Sequence, residues 1–206
     1  MVLYWVIRTI ARWCFVVWFG VRPEGLENIP SSGAALLCAN HRSWADPLLI
    51  SAVIPRPLFY MAKEEMFSVP ALAFILRMVG AFPVRRHSAD RRALRKALAL
   101  LTCGRVVALF PEGTRSRTGE IGKAEPGVAL LAAWSACPVL PAAISGRYRR
   151  GQLVVRIGTP VHLTWGDRPR GPDLQVVADD QIMGAVRRLV DRQRRRPQGA
   201  VRAFQE

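Results

Sequence analysis

The 206 residues, half of them hydrophobic, suit one domain with a full core and exclude a chain disordered beyond its ends. Thirty Lys and Arg against 15 Asp and Glu leave a net charge of +15, a field that draws nucleic acid, anionic lipid or a phosphorylated substrate. The four cysteines, Cys14, Cys38, Cys103 and Cys137, form no CxxC or Cys/His ligand cluster, so they read as reduced core residues of a cytosol-facing protein without a metal site.

Residues 1–20 carry two charged side chains, Arg8 and Arg12, with Trp5, Trp13 and Trp18 among the apolar ones. A spanning helix needs about 20 mostly apolar residues, and the uncharged run after Arg12, Trp13 to Val21, is too short. On a helix the two arginines share one face and the remainder is apolar or aromatic. That pattern suits an amphipathic segment lying in the membrane interface, with its arginines among the headgroups. A tilted span with snorkelling arginines, a signal peptide and an ordinary helix packed on the domain are the competing readings. The signal peptide fits poorly, because the charges sit inside the apolar stretch and no small-x-small site follows closely. The expected division is an anchoring segment over 1–20, one domain over 21–196 and a tail over 197–206.

Within that domain, short apolar or β-rich runs recur at Ala34–Cys38, Leu58–Met61, Ala81–Val84, Val106–Phe110, Val139–Ile144 and Leu153–Ile157. Helical patterns at Pro47–Val53, Glu64–Met78, Ala89–Leu101 and Gly127–Trp134 lie between them. Such alternation predicts an α/β fold, a sandwich around a mostly parallel sheet with flanking helices. The last strands, near Leu153–Ile157 and Val161–Leu163, are close enough to form an antiparallel edge. From about Ala178 to Arg196 the spacing of Ile182, Met183, Val186, Leu189 and Val190 predicts a helix, which runs into Arg192, Arg194, Arg195 and Arg196. That basic end is either a solvated tail or a hold on anionic lipid.

Open α/β sheets gather their ligands at loops after the carboxyl ends of strands. Three such loops carry polar residues: Asn40–Pro47, Val84–His87 and Phe110–Ser116. In the first, Asp46-Pro47 reads as a helix start, with Asp as N-cap and Pro at the first helical position. His41 lies in the loop before that cap, in the spacing HxxxxD, and a loop that folds back brings its imidazole to the carboxylate. The carboxylate would fix the tautomer and stabilise the imidazolium formed when the other nitrogen takes a proton. No GxSxG stands beside the pair, and Ser43 is the only hydroxyl in the stretch. A His-Asp pair without a protein nucleophile points to direct activation of a substrate hydroxyl. An Asp-Pro that merely caps a helix is the plainer alternative.

In Phe110-Pro111-Glu112-Gly113-Thr114-Arg115-Ser116, Gly113 permits close backbone approach, Thr114 and Ser116 offer hydroxyls, and Arg115 can fork onto phosphate. Glu112 can accept from a glycerol hydroxyl or pair internally with Arg115 across a turn. Gly80–Arg86 ends in the cations Arg85 and Arg86, and Lys63 is another cation at a strand end. Each of these three reads equally as surface charge.

Together the loops resemble the blocks of the glycerolipid acyltransferases of the lysophosphatidate acyltransferase type. Asn40-His41-x-Ser43-x-x-Asp46-Pro47 is similar to their first block, and Phe110–Ser116 matches their FPEGTRS block at all seven positions. Gly80–Arg86 resembles the middle block, with Arg86 at its cation, and Val139–Ile144 the fourth, centred on Pro141. The resemblance runs from about Val21 to Gly158. It implies transfer of an acyl group from acyl-CoA or acyl-carrier protein to the sn-2 hydroxyl of lysophosphatidate, giving phosphatidate. His41 would be the base, Asp46 its orienter, and Lys63, Arg86 and Arg115 would hold the acceptor phosphate. Glu112, Gly113 and Thr114 would position the glycerol, and no metal or prosthetic group is implied. Arg85 stands where the family often has Asp, which divides the phosphate assignment between Arg85 and Arg86. The blocks mark the chemistry better than the acceptor, so a glycolipid or amino-lipid acceptor is the alternative. A membrane-associated, monotopic protein on the cytoplasmic face is expected, with membrane lipid as its partner. Nucleic-acid binding is disfavoured, because the aromatics sit in apolar runs and no RRM, KH or zinc-finger signature occurs.

Overall fold

Continuous apolar runs become strands covered on both faces, because a parallel sheet with helices on each side leaves no wet face. The computed structural model describes residues 2–85, 90–116, 118–164 and 171–194. In chain order its strands are β1 (Arg22–Glu24), β2 (Ala35–Ala39), β3 (Leu58–Lys63), β4 (Ala81–Val84), β5 (Val106–Leu109), β6 (Val139–Ser145) and β7 (Val154–Ile157). They form one sheet in the order β1-β7-β6-β2-β5-β3-β4, parallel throughout except between β6 and β7. β2 and β6 are buried along their whole length.

The period of two divides the core. Ala35, Leu37 and Ala39 face one apolar layer, shared with Leu49, Ile50 and Val53 of helix α2 (Asp46–Val53). Leu36 and Cys38 face the other, against Ala97 and Leu101 of α4 (Arg91–Thr102) and Val128 and Leu131 of α5 (Gly127–Ser135). The expected helix over Glu64–Met78 is divided: a 3₁₀ turn over Glu64–Phe67, then α3 (Pro70–Met78) with Pro70 in its first turn. The C-terminal helix begins earlier than its apolar spacing suggests. It comprises α6 (Gly171–Val176), a π-helical stretch Val177–Met183, and α7 (Gly184–Arg194). The basic residues Arg195 and Arg196 and the tail 197–206 lie outside the described residues.

Two expectations are corrected. β7 is not an edge: its outer side pairs with β1, whose three residues hold a proline that an edge strand tolerates. Val161 contributes a single antiparallel bridge to Val139 rather than a strand. The second correction concerns α1 (Val2–Arg12), which continues as a π-helical stretch over Trp13–Trp18. Arg8 turns back onto the domain, and Arg12, though exposed, leans the same way. Arg8 donates from Nε to the Ser51 carbonyl at 3.0 Å and from Nη2 to the Ile54 carbonyl at 2.6 Å, and Arg12 reaches the Ala52 carbonyl at 3.4 Å. The last carbonyls of a helix have no intrahelical donor and carry partial negative charge, so α2 takes these cations at its C-terminus. α1 is therefore packed on the domain, with Tyr4 buried and its hydroxyl accepting from the Leu58 amide at 3.0 Å. Most of what faces outward is apolar: Val6, Ile10, Trp13, Val17 and Trp18 are all exposed, beside Thr9 and Arg12.

Candidate active site

β6, β2 and β5 are adjacent and parallel, so the loops leaving their carboxyl ends open on the same side of the sheet. The β2 loop starts with a side chain that imitates a strand. Asn40 donates from Nδ2 to the Ile144 carbonyl at 3.0 Å, and its Oδ1 accepts from the Ile144 amide at 2.8 Å. Both bonds are buried, and they turn the chain out of β2 at a fixed point.

His41 follows at once. Its Nδ1 lies 2.8 Å from Oδ2 of Asp46, at the start of α2. Asp46 is fully buried. An ionised carboxylate can only accept, so Nδ1 donates to it, and in the neutral ring the lone pair is then on Nε2. Nε2 has no partner among the described residues. The ring stacks on Phe110, with centroids 4.0 Å apart and planes 20° from parallel.

Asp46 is not the helix cap that Asp-Pro suggests. It is the first helical residue, behind Ala45, and its carboxylate turns back over the loop. Oδ2 also accepts from the amides of Arg42 at 2.6 Å and Ser43 at 2.7 Å, and Oδ1 accepts from the hydroxyl of Tyr148. Burial pushes this carboxyl up, but the bonds from His41, Tyr148, Ser43 and Arg42 outweigh it and hold Asp46 below the ordinary carboxylate range.

The loop after β5 clamps His41 from the other side. Glu112 is buried; its Oε1 accepts from the His41 amide at 3.1 Å and its Oε2 from the Gly122 amide at 3.0 Å. The Ser116 amide donates to the His41 carbonyl at 2.8 Å. Glu112 and Arg115 do not pair with each other. Arg115 instead lies 4.0 Å over the Trp44 ring, linking this loop to the first. Gly113 has φ +64°, and a Cβ there would come within 3.1 Å of the Glu125 side chain. Thr114 is exposed beside it.

A cavity of about 520 Å³ opens beside the imidazole. His41, Phe110 and Gly113 line it, and Leu94, Val128, Leu131 and Leu174 contribute an apolar wall.

Of the predicted phosphate cations, Arg115 belongs to this cluster and Lys63 stands apart from it. Lys63 closes β3, is exposed, and pairs with Glu65 at 3.1 Å. Arg86 lies outside the described residues. Its neighbour Arg85 lines the cavity and donates from Nε to Glu64 at 2.6 Å. With strands about 4.8 Å apart, β3 and β4 lie roughly 10 and 14 Å across the sheet from β2.

Sequence reasoning missed Tyr148, the role of Asn40 and the guanidinium of Arg42, which donates to the Gly146 carbonyl at 2.7 Å. Tyr148 stands 102 residues after Asp46 and belongs to none of the blocks, so no local signal marks it. Only the adjacency of β6 to β2 would have pointed there.

The family model described as Acyltransferase matches residues 20–145, more than half of the chain. The 1-acyl-sn-glycerol-3-phosphate acyltransferase of Bacillus subtilis is 29% identical over 150 residues, 69% of this chain and 74% of that protein. The protein of that description from Pseudomonas aeruginosa is 30% identical over 181 residues, 78% of this chain and 69% of its own. A chloroplastic relative from Arabidopsis thaliana is longer, and only 44% of it is covered. Among solved structures, the lysophosphatidate acyltransferase PlsC of Thermotoga maritima superposes with a TM-score of 0.70 at 25% identity, over 94% of this chain and 81% of its own. By these matches the chain belongs to the acyltransferase family, among its glycerolipid members.

Proposed function

We propose that the protein transfers a fatty acyl group from acyl-CoA or acyl-carrier protein to the sn-2 hydroxyl of lysophosphatidate, with His41 as general base oriented by Asp46. The observation that carries this reading is the His41–Asp46 contact at 2.8 Å, with Nε2 free beside an apolar cavity and no activated protein nucleophile nearby. Ser43, the one hydroxyl in the loop, already accepts from the Ala45 amide at 3.2 Å. In the proposed step Nε2 takes the proton of the acceptor hydroxyl as its oxygen attacks the thioester carbonyl. The C–O bond forms, the C–S bond breaks, and the imidazolium returns the proton to the departing sulfur. Asp46 stabilises that imidazolium. The apolar wall suits an acyl chain, and Lys63, Arg86 and Arg115 would meet the acceptor phosphate, with Arg85 sharing that role. The buried bonds of Glu112 favour a part in holding His41 over contact with glycerol.

The protein would act as a monotopic enzyme at the cytoplasmic face. Support comes from the outer side of α1 and Trp13–Trp18, where Val6, Ile10, Trp13, Val17 and Trp18 are exposed while Arg8 is engaged on α2. Among the described residues no helix is long and apolar enough to cross a membrane. The test is an acyl-transfer assay of purified protein with lysophosphatidate and both donors. Phosphatidate formation with either donor is the expected result; transfer only to a glycolipid or amino-lipid acceptor would sink the acceptor assignment.

A further inference from the structure

β6 is the parallel neighbour of β2, and the loop that leaves it, Gly146–Gly151, folds over the His41 loop. Three bonds fasten it there. The Gly146 carbonyl accepts from Arg42, the Tyr148 hydroxyl donates to Asp46, and the Gly151 amide donates to the Phe19 carbonyl at 2.7 Å. The Tyr148 ring is half-buried against the apolar layer under α2, so the hydroxyl cannot swing away without unpacking the ring. Asp46 has two oxygens. Oδ2 is taken by His41 and two amides, and Oδ1 is held by Tyr148. Without the bond to Oδ1, only the bonds to Oδ2 would resist rotation of the carboxylate about Cβ–Cγ, the motion that turns Oδ2 away from Nδ1.

Resting on the reading of His41 and Asp46 as the catalytic pair, we propose that Tyr148 is a positioning residue for the acyl-transfer reaction: its hydroxyl fixes the rotation of the Asp46 carboxylate and so the aim of His41. Tyr148 touches no reacting atom and acts through Asp46. Burial, and then its bond to Asp46, push the phenol above its ordinary range, so it keeps its proton and can donate at neutral pH.

The direction of its effect follows from the groups facing Asp46. These are the His41 ring, the Tyr148 phenol and the amides of Arg42 and Ser43, with the Arg42 guanidinium bound to the Gly146 carbonyl. Removing the phenolic donor raises the Asp46 pKa, so its protonation begins at higher pH as the solution is acidified. A carboxylate with one donor fewer also favours the neighbouring imidazolium, which acts in the same direction.

The experiment is Tyr148→Phe in the full chain, which keeps the ring and removes the hydroxyl. The expected result is a kcat lower by roughly ten- to a hundredfold, the worth of a hydrogen bond to a charged group. Both KM values should stay within about twofold on the same grounds, since the hydroxyl meets neither substrate. The acid limb of the kcat–pH profile should move to higher pH. That limb reports on the His41–Asp46 pair, and circular dichroism at each pH gives the folded fraction by which it is normalised. Wild-type kcat, an unmoved acid limb, or a loss confined to one substrate's KM each overturns the proposal. His41→Ala in the same assay separates the two readings. Retained turnover there removes the pair itself and this inference with it, whereas its loss alongside wild-type behaviour of Tyr148→Phe overturns Tyr148 alone.

Discussion

The mouth of the sheet has two unlike halves. At β6, β2 and β5 every polar atom of the His41–Asp46 pair except Nε2 is engaged, and Asp46 and Glu112 are buried. At β3 and β4 the cations Lys63 and Arg85 are exposed and pair with neighbouring carboxylates, Lys63 with Glu65 and Arg85 with Glu64. Buried bonds in a dry site hold a group in one geometry, which proton transfer needs. Exposed ion pairs are weak and break readily, so their cations can be released to an arriving phosphate. The difference teaches that this chain is preorganised around the proposed catalytic pair and loose where the proposed acceptor phosphate would enter.

The largest effect tests the preorganised half. His41→Ala should lower turnover by at least the 10²–10⁴-fold attributed to general base catalysis, with folding unchanged; wild-type-like turnover in a purified sample would break the comparison at its centre. Asp46→Asn should lose most activity too, and it should also cost stability, because an amide cannot accept from all of its donors. The sign follows from the depressed pKa of Asp46. Its contribution is present above the unfolded carboxyl pKa, about 3.9, and is lost as pH falls through the lower folded value. Denaturant midpoints of wild type and Asp46→Asn should therefore converge on acidification below about pH 4; a gap that stays constant would contradict this.

Glu112→Gln comes next. Glutamine offers one oxygen where the buried His41 amide and the part-buried Gly122 amide need acceptors, so about 1–3 kcal/mol of stability and part of kcat should go together. A variant weakened only toward the acceptor would put Glu112 at the glycerol after all. At the proposed phosphate contacts, Arg115→Ala should reduce acceptor kcat/KM by roughly tenfold or more and leave the donor's KM alone. A lesion on the donor side would move the phosphate site elsewhere.

The smallest effect extends the contrast to the N-terminal segment. Arg8→Gln should lower thermal stability modestly, about 1 kcal/mol, by uncapping α2, and leave vesicle binding unchanged. Ile10→Ser on the exposed face should do the reverse. Loss of vesicle binding in Arg8→Gln would restore the reading of arginines among headgroups.

The alternation of strands and helices, the two loops after β2 and β5, and the meeting of His41 with Asp46 were all legible in the amino-acid order. Each of those signals is local: a period of two or 3.6, an Asp-Pro at a helix start, five residues between imidazole and carboxylate. The tertiary structure alone decided where the long polar side chains end. Arg8 finds a carbonyl 46 residues away, Glu112 an amide 71 residues back, and Tyr148 a carboxylate 102 residues back. The physical reason is the sheet order. A local pattern says that a segment is a strand but not which strand lies beside it, and the pairing of β6 with β2 is what carries Tyr148 to Asp46. Burial then decides the chemistry, because a buried carboxylate must be bonded by whatever donors that pairing brings within reach.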